Sequence, residues 1–167
     1  MKRYCFDTSG ISNPLESVPI DIHGSLWDWL LDFFDAGSVA VTTEIFEEMI
    51  LLPNGVGERI KATKDSLVLE VGEPTWDWQG YIANSNSMQD TYHEFISEFT
   101  GGSSKTICLN DLSIVALAKT MDLPLVNMEV FVPEGSPNKR RIPNICNYEG
   151  VLPLTFNQFL RREGFKS

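Results

Sequence analysis

Four acidic residues lie where the sequence predicts the ends of strands or the early turns of helices. Asp7 ends the first predicted strand, and Glu129 lies just past the end of a later one. Asp111 opens a predicted helix, and Glu48 lies one to two turns into the helix that follows another strand. Because ligands of open parallel sheets bind beyond the carboxyl ends of the strands, these four carboxylates could converge on one edge of the sheet.

Convergent carboxylates of this kind point to a metal site. Clustered acids repel one another and lose hydration, so a fold retains them where a cation or a proton neutralises the charge. Oxygen ligands without histidine or cysteine suit Mg²⁺ or Mn²⁺, which can activate water and polarise a phosphodiester. The polar neighbours that could orient the acids are Thr8, Ser9, Asn110 and Asn127. Spacing alone leaves open that each acid belongs to a solvated helix face.

Short apolar segments alternate with helical patterns along the chain. The predicted strands cover residues 3–7, 39–41, 67–71, 123–126 and 151–154. The predicted helices cover residues 25–36, a segment after Thr42, residues 56–65, part of 73–104, residues 111–121, a short segment ending at Cys146, and residues 155–164. This alternation predicts one α/β domain over residues 1–167, with helices on both faces of a mainly parallel sheet.

Turn and cap signals set the boundaries of these elements. Turns or breaks are predicted at residues 8–10, 13–14, 101–104 and 133–138. The predicted helix caps are Ser25, Asn110 and Thr155, the last of which forms a capping box with Gln158.

The predicted helix at residues 25–36 is apolar around most of its circumference. Its acidic residues Asp28, Asp32 and Asp35 are spaced to form one narrow polar stripe, and nearly all other positions are large and apolar. Such a helix is either buried deeply in its own chain or covered by a partner.

Length and composition are those of an ordinary globular protein. The chain has 167 residues, of which 43% are hydrophobic and 22% charged, and this excludes wholesale disorder. No apolar stretch reaches the ~20 residues of a membrane helix, and no long apolar signal segment is present, so we expect a soluble, cytoplasmic protein. Cys5, Cys108 and Cys146 form no CxxC pair or Cys/His cluster, which predicts reduced thiols in or near the core.

The net charge of −10 is distributed unevenly. Residues 1–100 carry 17 acidic and 5 basic side chains, whereas residues 101–167 carry 6 acidic and 8 basic ones. This balance argues against non-specific coating of nucleic acid, but it allows an enzyme that meets a phosphate backbone over one basic region. The candidate region is Lys139, Arg140 and Arg141, because arginine forks match phosphate geometry. A solvated loop, or pairing with the acidic half of the chain, is the alternative.

Four segments together resemble a known family. Four segments of this chain resemble the acidic segments of PIN-domain nucleases in their order and spacing. They are residues 6–10, 39–49, 110–118 and 125–131. The third segment resembles the D-x-x-I-x-A-x-A helix of that family, and the fourth lies where the family carries L-V-T-x-D-x-D-F. The basic run and the C-terminal segment look like a poorly characterised PIN-like branch near the VapC toxins.

This resemblance implies a three-layer α-β-α PIN-like fold and a Mg²⁺- or Mn²⁺-dependent ribonuclease, commonly the toxin of a type II toxin–antitoxin pair. It implies catalytic roles for Asp7, Glu48, Asp111 and Glu129, with Asp7, Asp111 and Glu129 as metal ligands. RNA as substrate, a cognate antitoxin over the acidic cleft and a homodimer are the implied partners, and no membrane is involved.

The sequence departs from the family pattern at two positions. Glu129 replaces the usual Asp, and Asn127 replaces the usual Thr. These departures motivate an alternative, a PIN-like module that has lost catalysis and binds RNA or protein. Glu44 and Glu47 are close to Glu48, so the assignment could be shifted by a helical turn. A phosphatase with Asp7 as nucleophile is disfavoured, because Ser9 occupies the position of the expected second Asp.

Overall fold

A four-stranded, entirely parallel sheet forms the centre of the computed structural model, which describes residues 1–101, 106–136 and 139–166. Its strands, in the spatial order β2-β1-β3-β4, are β1 (Tyr4–Phe6), β2 (Val39–Ala40), β3 (Leu125–Val126) and β4 (Pro153–Leu154). The predicted parallel α/β architecture is therefore confirmed. Of the predicted loops, residues 102–104 and 137–138 lie outside the described residues.

Helices account for most of the remaining regular structure. They are α1 (Ser9–Ser17), α2 (Gly24–Asp35), α3 (Thr43–Met49), α4 (Val56–Ala62), α5 (Lys64–Leu67), α6 (Trp78–Thr91), α7 (Leu109–Met121), α8 (Ile142–Glu149) and α9 (Phe156–Arg162). Single 3₁₀ turns follow α6 at His93–Phe95 and Ser97–Phe99. No helix within the described ranges is long and apolar enough to cross a bilayer.

The side chains of β1 separate two helical layers. Tyr4 and Phe6 project to one face, where each ring lies 5.0 Å from the ring of Phe159 in α9. Cys5 projects to the opposite face because side chains alternate along a strand, and its thiol lies near that of Cys146 in α8. Helices thus cover both faces of the sheet. All three cysteines are free thiols, as predicted.

Helix α2 packs inside its own chain. Its buried side chains are Leu26, Trp27, Leu30, Leu31 and Phe34. Its acidic stripe faces Arg59 of α4, whose guanidinium nitrogens lie 3.7 Å from Asp28, 3.1 Å from Asp32 and 3.2 Å from Asp35. Of the two alternatives that the sequence leaves open, the structure therefore favours burial within the chain.

Three predicted elements are wrong. The turn predicted at residues 8–10 is confined to Thr8, because α1 begins at Ser9. Residues 13–14 do not break the chain, because Pro14 lies inside α1 and is buried with Ile11 and Leu15 against the core. Residues 67–71 form no strand: Leu67 ends α5, and only Val68 pairs with Val41 beside β2. The predicted helix at 56–65 is divided at residue 63 into α4 and α5.

The predicted caps are correct in part. Thr155 and Gln158 form the capping box of α9. Ser25 is not a cap, because α2 begins one residue before it. Asn110 is not a cap either: α7 begins at Leu109, and the capping residue is Cys108.

Candidate functional site

Asp7 lies at the carboxyl end of β1, where α1 begins almost at once. Its backbone N–H donates to the carbonyl of Val126 at 2.9 Å, which continues the pairing with β3. The carboxylate is 4% exposed, and its Oδ2 accepts from the backbone N–H of Ser9 at 3.0 Å. Gly10 permits this tight arrangement, since a Cβ there would lie 2.7 Å from the Val126 carbonyl oxygen. The start of α1 thus holds Asp7 against the strand ends.

Asp111 is fixed by the first turn of α7. Its Oδ2 accepts from the backbone N–H of Cys108 at 3.0 Å, and the Cys108 Sγ accepts from the Asp111 N–H at 3.4 Å. This reciprocal pair is a capping box in which a thiol replaces the usual hydroxyl. The carboxylate is therefore held in one orientation at the helix start.

Glu48 connects three helices through its carboxylate. Thr8 Oγ1 donates to Oε1 at 2.6 Å from the start of α1, and Asn110 Nδ2 donates to Oε2 at 2.8 Å from α7. Glu44 and Glu47 are exposed, whereas Glu48 is partly buried. Of the three, Glu48 is the one whose carboxylate is bonded to Thr8 and Asn110 beside the predicted site.

Glu129 follows β3 and is oriented toward the start of α8. Asn127 is buried, and its Oδ1 accepts from the Glu129 N–H at 3.2 Å, which turns the chain after the strand. The carboxylate accepts from the backbone N–H of Ile142 at 2.9 Å and lies 3.8 Å from a guanidinium nitrogen of Arg141. Glu129 is thus engaged by a backbone donor and by a cation of its own chain.

The four acids act on one another electrostatically. Burial raises the pKa of Asp7 to about 6, with the charges of Glu129 and Glu48 adding to it and the Ser9 hydrogen bonds opposing it. Burial raises the pKa of Asp111 to about 7, and the charges of Asp7 and Glu129 contribute in the same direction. We call Asp7, Glu48, Asp111 and Glu129 the carboxylate cluster. The structure brings all four predicted acids to one region.

The donor chemistry of the cluster fits a hard divalent cation. Across the residues that the structure describes, no three His, Cys, Asp or Glu side chains already meet in a geometry that could hold a metal ion. Asp7 and Asp111 each accept one backbone N–H through Oδ2, and a carboxylate has about four lone-pair positions. Acceptor capacity for a cation therefore remains on both carboxylates.

The predicted orienting residues contact the cluster or its backbone. Thr8 and Asn110 donate to Glu48, and Asn127 accepts from the backbone N–H of Glu129, as described above. The Ser9 hydroxyl accepts from the backbone N–H of Met128 at 3.0 Å and so joins α1 to the segment that carries Glu129. The four residues are thus placed to orient the acids.

The three basic residues at positions 139–141 contact different groups. Arg141 pairs with Glu129, as described above. Arg140 lies over the ring of Phe95 at 4.4 Å and donates to the Ser136 carbonyl at 3.0 Å, and Lys139 is exposed. Lys139 and Arg141 also line a cavity beside Glu129.

Sequence reasoning missed two groups that hold the acids. Cys108 could have been found, because a polar side chain three residues before Asp111 is the spacing of a capping box. The backbone N–H of Ile142 carries no signal in the sequence, since the identity of a residue does not affect its main-chain donor.

Comparison with known proteins gives one finding. No curated protein matches the chain. The resemblance to PIN-domain nucleases therefore stays a prediction. Residues 4–167 match the model of the family described as a domain of unknown function (DUF4411), and the chain belongs to this family.

Proposed function

We propose that this protein is a divalent-metal-dependent ribonuclease that cleaves RNA phosphodiester bonds at the carboxylate cluster. The observation that carries the proposal is the meeting of buried Asp7 and partly buried Asp111 at one edge of the sheet, where the pKa values of the two carboxyl groups are raised to about 6 and about 7. Negative charges held close together away from water destabilise a fold unless a cation or a proton neutralises them. A metal requirement explains why the chain carries them.

Asp7 and Asp111 are the residues that would hold the metal, with Glu129 as a further ligand. When bound, Mg²⁺ or Mn²⁺ supplies Lewis acidity toward a phosphate and lowers the pKa of water. Glu129 is connected through Asn127 to the end of β3 and through Ile142 to the start of α8, so its carboxylate stays at the rim of the cluster.

The remaining residues orient the reactants. The hydrogen bonds from Thr8 and Asn110 hold the Glu48 carboxylate in one place, where it can accept a hydrogen bond from an attacking water. Lys139 and Arg141 border the cluster on the side of Glu129, where they can contact phosphates of the strand. Attack of this water on phosphorus, in line with the bond to the 3′-side oxygen, then breaks that bond and releases the oxygen.

Cleavage of a fluorescent single-stranded RNA by the purified chain tests the proposal. We expect cleavage with Mn²⁺ or Mg²⁺ and none with a chelator. We expect Asp7→Asn and Asp111→Asn to reduce the rate by about 10²-fold or more, because each removes a charged ligand.

Asp122→Asn is the matched control for both variants. Asp122 lies at the other end of α7, is exposed and has a left-handed backbone (φ 54°) that asparagine also adopts. We expect this control to retain wild-type activity. Cleavage that persists unchanged in both Asp7→Asn and Asp111→Asn would contradict the proposal.

A binding module without catalysis is the second candidate, and the engagement of Glu129 favours it. A carboxylate held by Ile142 and Arg141 is partly neutralised by its own chain and has less need of a cation. Calorimetric titration with Mn²⁺ separates the candidates: saturable binding that Asp7→Asn abolishes supports the nuclease, and no binding supports the module.

The toxin role, the antitoxin and the homodimer stay predictions. Expressing the chain alone tests the first, because a nuclease toxin arrests growth and its Asp7→Asn variant does not. An arrest that persists with Asp7→Asn would argue against nuclease toxicity. The mass of the purified chain in solution tests the homodimer.

A further inference from the structure

A cavity of about 430 Å³ lies beside the carboxylate cluster, between α3, α6 and α7. Its volume falls in the range of about 300–1,000 Å³ that is typical of small-molecule sites. Asn110 forms part of its wall and also donates to Glu48, so the cavity and the cluster share a side chain. A group bound in the cavity therefore lies next to the proposed reaction centre.

The cavity combines an aromatic ring with apolar and polar side chains. Tyr81 is 8% exposed, and its ring is braced by Trp76 at a centroid distance of 5.5 Å. Leu69 and Ile82 add apolar surface to the lining. A planar, partly polar ligand such as a nucleobase fits this combination, because single-stranded bases are recognised by aromatic contact together with hydrogen bonds to their edges.

Two polar residues form part of the same wall. Ser85 lines the cavity, but its Oγ is buried on the side of the Tyr81 hydroxyl and is not exposed to a ligand. The Glu44 carboxylate lines the same cavity, and its negative charge contributes, after burial, to a raised pKa of Tyr81. A carboxylate acceptor next to an aromatic ring can read the edge of a base.

We infer that this cavity binds a nucleobase of the RNA strand and prefers bases that carry an exocyclic amino group. Glu44 supplies only acceptor oxygens when ionised, so it pairs with the amino groups of adenine, cytosine or guanine. Uracil presents a carbonyl oxygen at the position of the cytosine amino group, which Glu44 repels, and offers only its ring N–H as a donor. The inference rests on the proposed function, because that function identifies the bound strand as RNA. Base binding, however, is measured without cleavage.

The test is the affinity of fluorescent A₄, C₄ and U₄ ribonucleotides in the presence of a chelator. We expect the wild-type chain to bind A₄ and C₄ about tenfold more tightly than U₄. Glu44→Gln should remove most of this preference, because the amide also donates to uracil. Glu47→Gln, on the same helix but outside the cavity, is the matched control and should keep the preference.

A second pair of variants tests the cavity itself. Ser85→Leu places an apolar side chain in the cavity and should weaken A₄ binding about tenfold or more, the loss expected for one base contact. Ser87→Leu, on the exposed face of α6, should leave binding unchanged. Equal A₄ affinity of Ser85→Leu and Ser87→Leu would overturn the inference, and so would equal affinity of the wild-type chain for A₄ and U₄.

Two further outcomes of these binding measurements distinguish the inference from the proposed function. Adenosine monophosphate that binds as tightly as A₄ would contradict the inference, since the strand would then contribute no contact. A chain that distinguishes A₄ from U₄ but cleaves no RNA with Mn²⁺ would leave the inference standing and would overturn the proposed nuclease alone.

Discussion

We expect the ionised carboxylate of Asp7 to destabilise the fold in the presence of a chelator. Its pKa is raised from 3.8 to about 6, so at pH 7.5 the folded chain holds a buried charge that the unfolded chain would hydrate. Asp7→Asn keeps the shape and removes the charge. We expect the variant to raise the free energy of unfolding by roughly 1–3 kcal/mol at pH 7.5 in a chelator, as measured by urea denaturation.

The substitution Asp122→Asn, at an exposed residue, is again the control for Asp7→Asn. Asp122→Asn should change the unfolding free energy by less than about 0.5 kcal/mol, as surface substitutions usually do. A loss of stability in Asp7→Asn would mean that the hydrogen bond from Ser9 outweighs the cost of burying the charge.

At the scale of residues, the sequence identified the acids and their polar side-chain neighbours, but not Cys108, Ile142 or Arg141 as their partners. Asp7 and Asp111 follow from their positions at a strand end and a helix start. Glu48 could not be separated from Glu44 and Glu47, because the three lie within about one helical turn and only packing decides which one faces inward. The pairing of Glu129 with Arg141 was not predictable either, since it joins a strand end to a separate helix.

At the scale of elements, the contact between α1 and β3 depends on the absence of a side chain at residue 10. A Cβ on Gly10 would lie 2.7 Å from the Val126 carbonyl oxygen, and backbone must move to relieve such a contact. We expect Gly10→Ala to lower the free energy of unfolding by about 1–3 kcal/mol in urea denaturation. It should also weaken Mn²⁺ binding, because α1 carries the N–H that holds Asp7.

Gly24 supplies the control for this substitution. It also lies in a helix, at the start of α2, and a Cβ there would meet nothing within 4 Å. Gly24→Ala should therefore be neutral or slightly stabilising, since alanine has the higher helix propensity. Equal effects of the two substitutions would show that helix propensity, and not the close approach to β3, determines the result.

The same helix shows why some elements could not be predicted. Asn13 and Pro14 are a local break signal, yet α1 continues through them because Ile11 and Leu15 are buried on its inner face. Tertiary burial here outweighs local preference. Residues 67–71 show the converse: they have the composition of a strand, but their pairing is limited to a single bridge between Val68 and Val41, at the outer side of β2.

For the whole molecule, we expect Asp7 and Asp111 to make stability depend on pH. Asp7 and Asp111 bind protons more tightly in the folded chain, with pKa values of about 6 and about 7 against 3.8 for an unperturbed group. The folded state therefore holds more protons than the unfolded state between about pH 4 and pH 7. The contribution of these groups to the free energy of unfolding falls as pH rises through that interval.

A divalent ion bound to the ionised carboxylates would reverse this dependence. We expect Mn²⁺ at about 100 times its Kd to raise the free energy of unfolding by roughly 2.7 kcal/mol at pH 7.5, and by much less at pH 5, where protons compete. Urea denaturation at both pH values, with Mn²⁺ or with a chelator, measures the effect. The double variant Asp7→Asn, Asp111→Asn should lose both the metal response and most of the decline with pH. A metal response that survives in the double variant would locate the ion elsewhere in the molecule, and the absence of any response in the wild-type chain would favour the binding module.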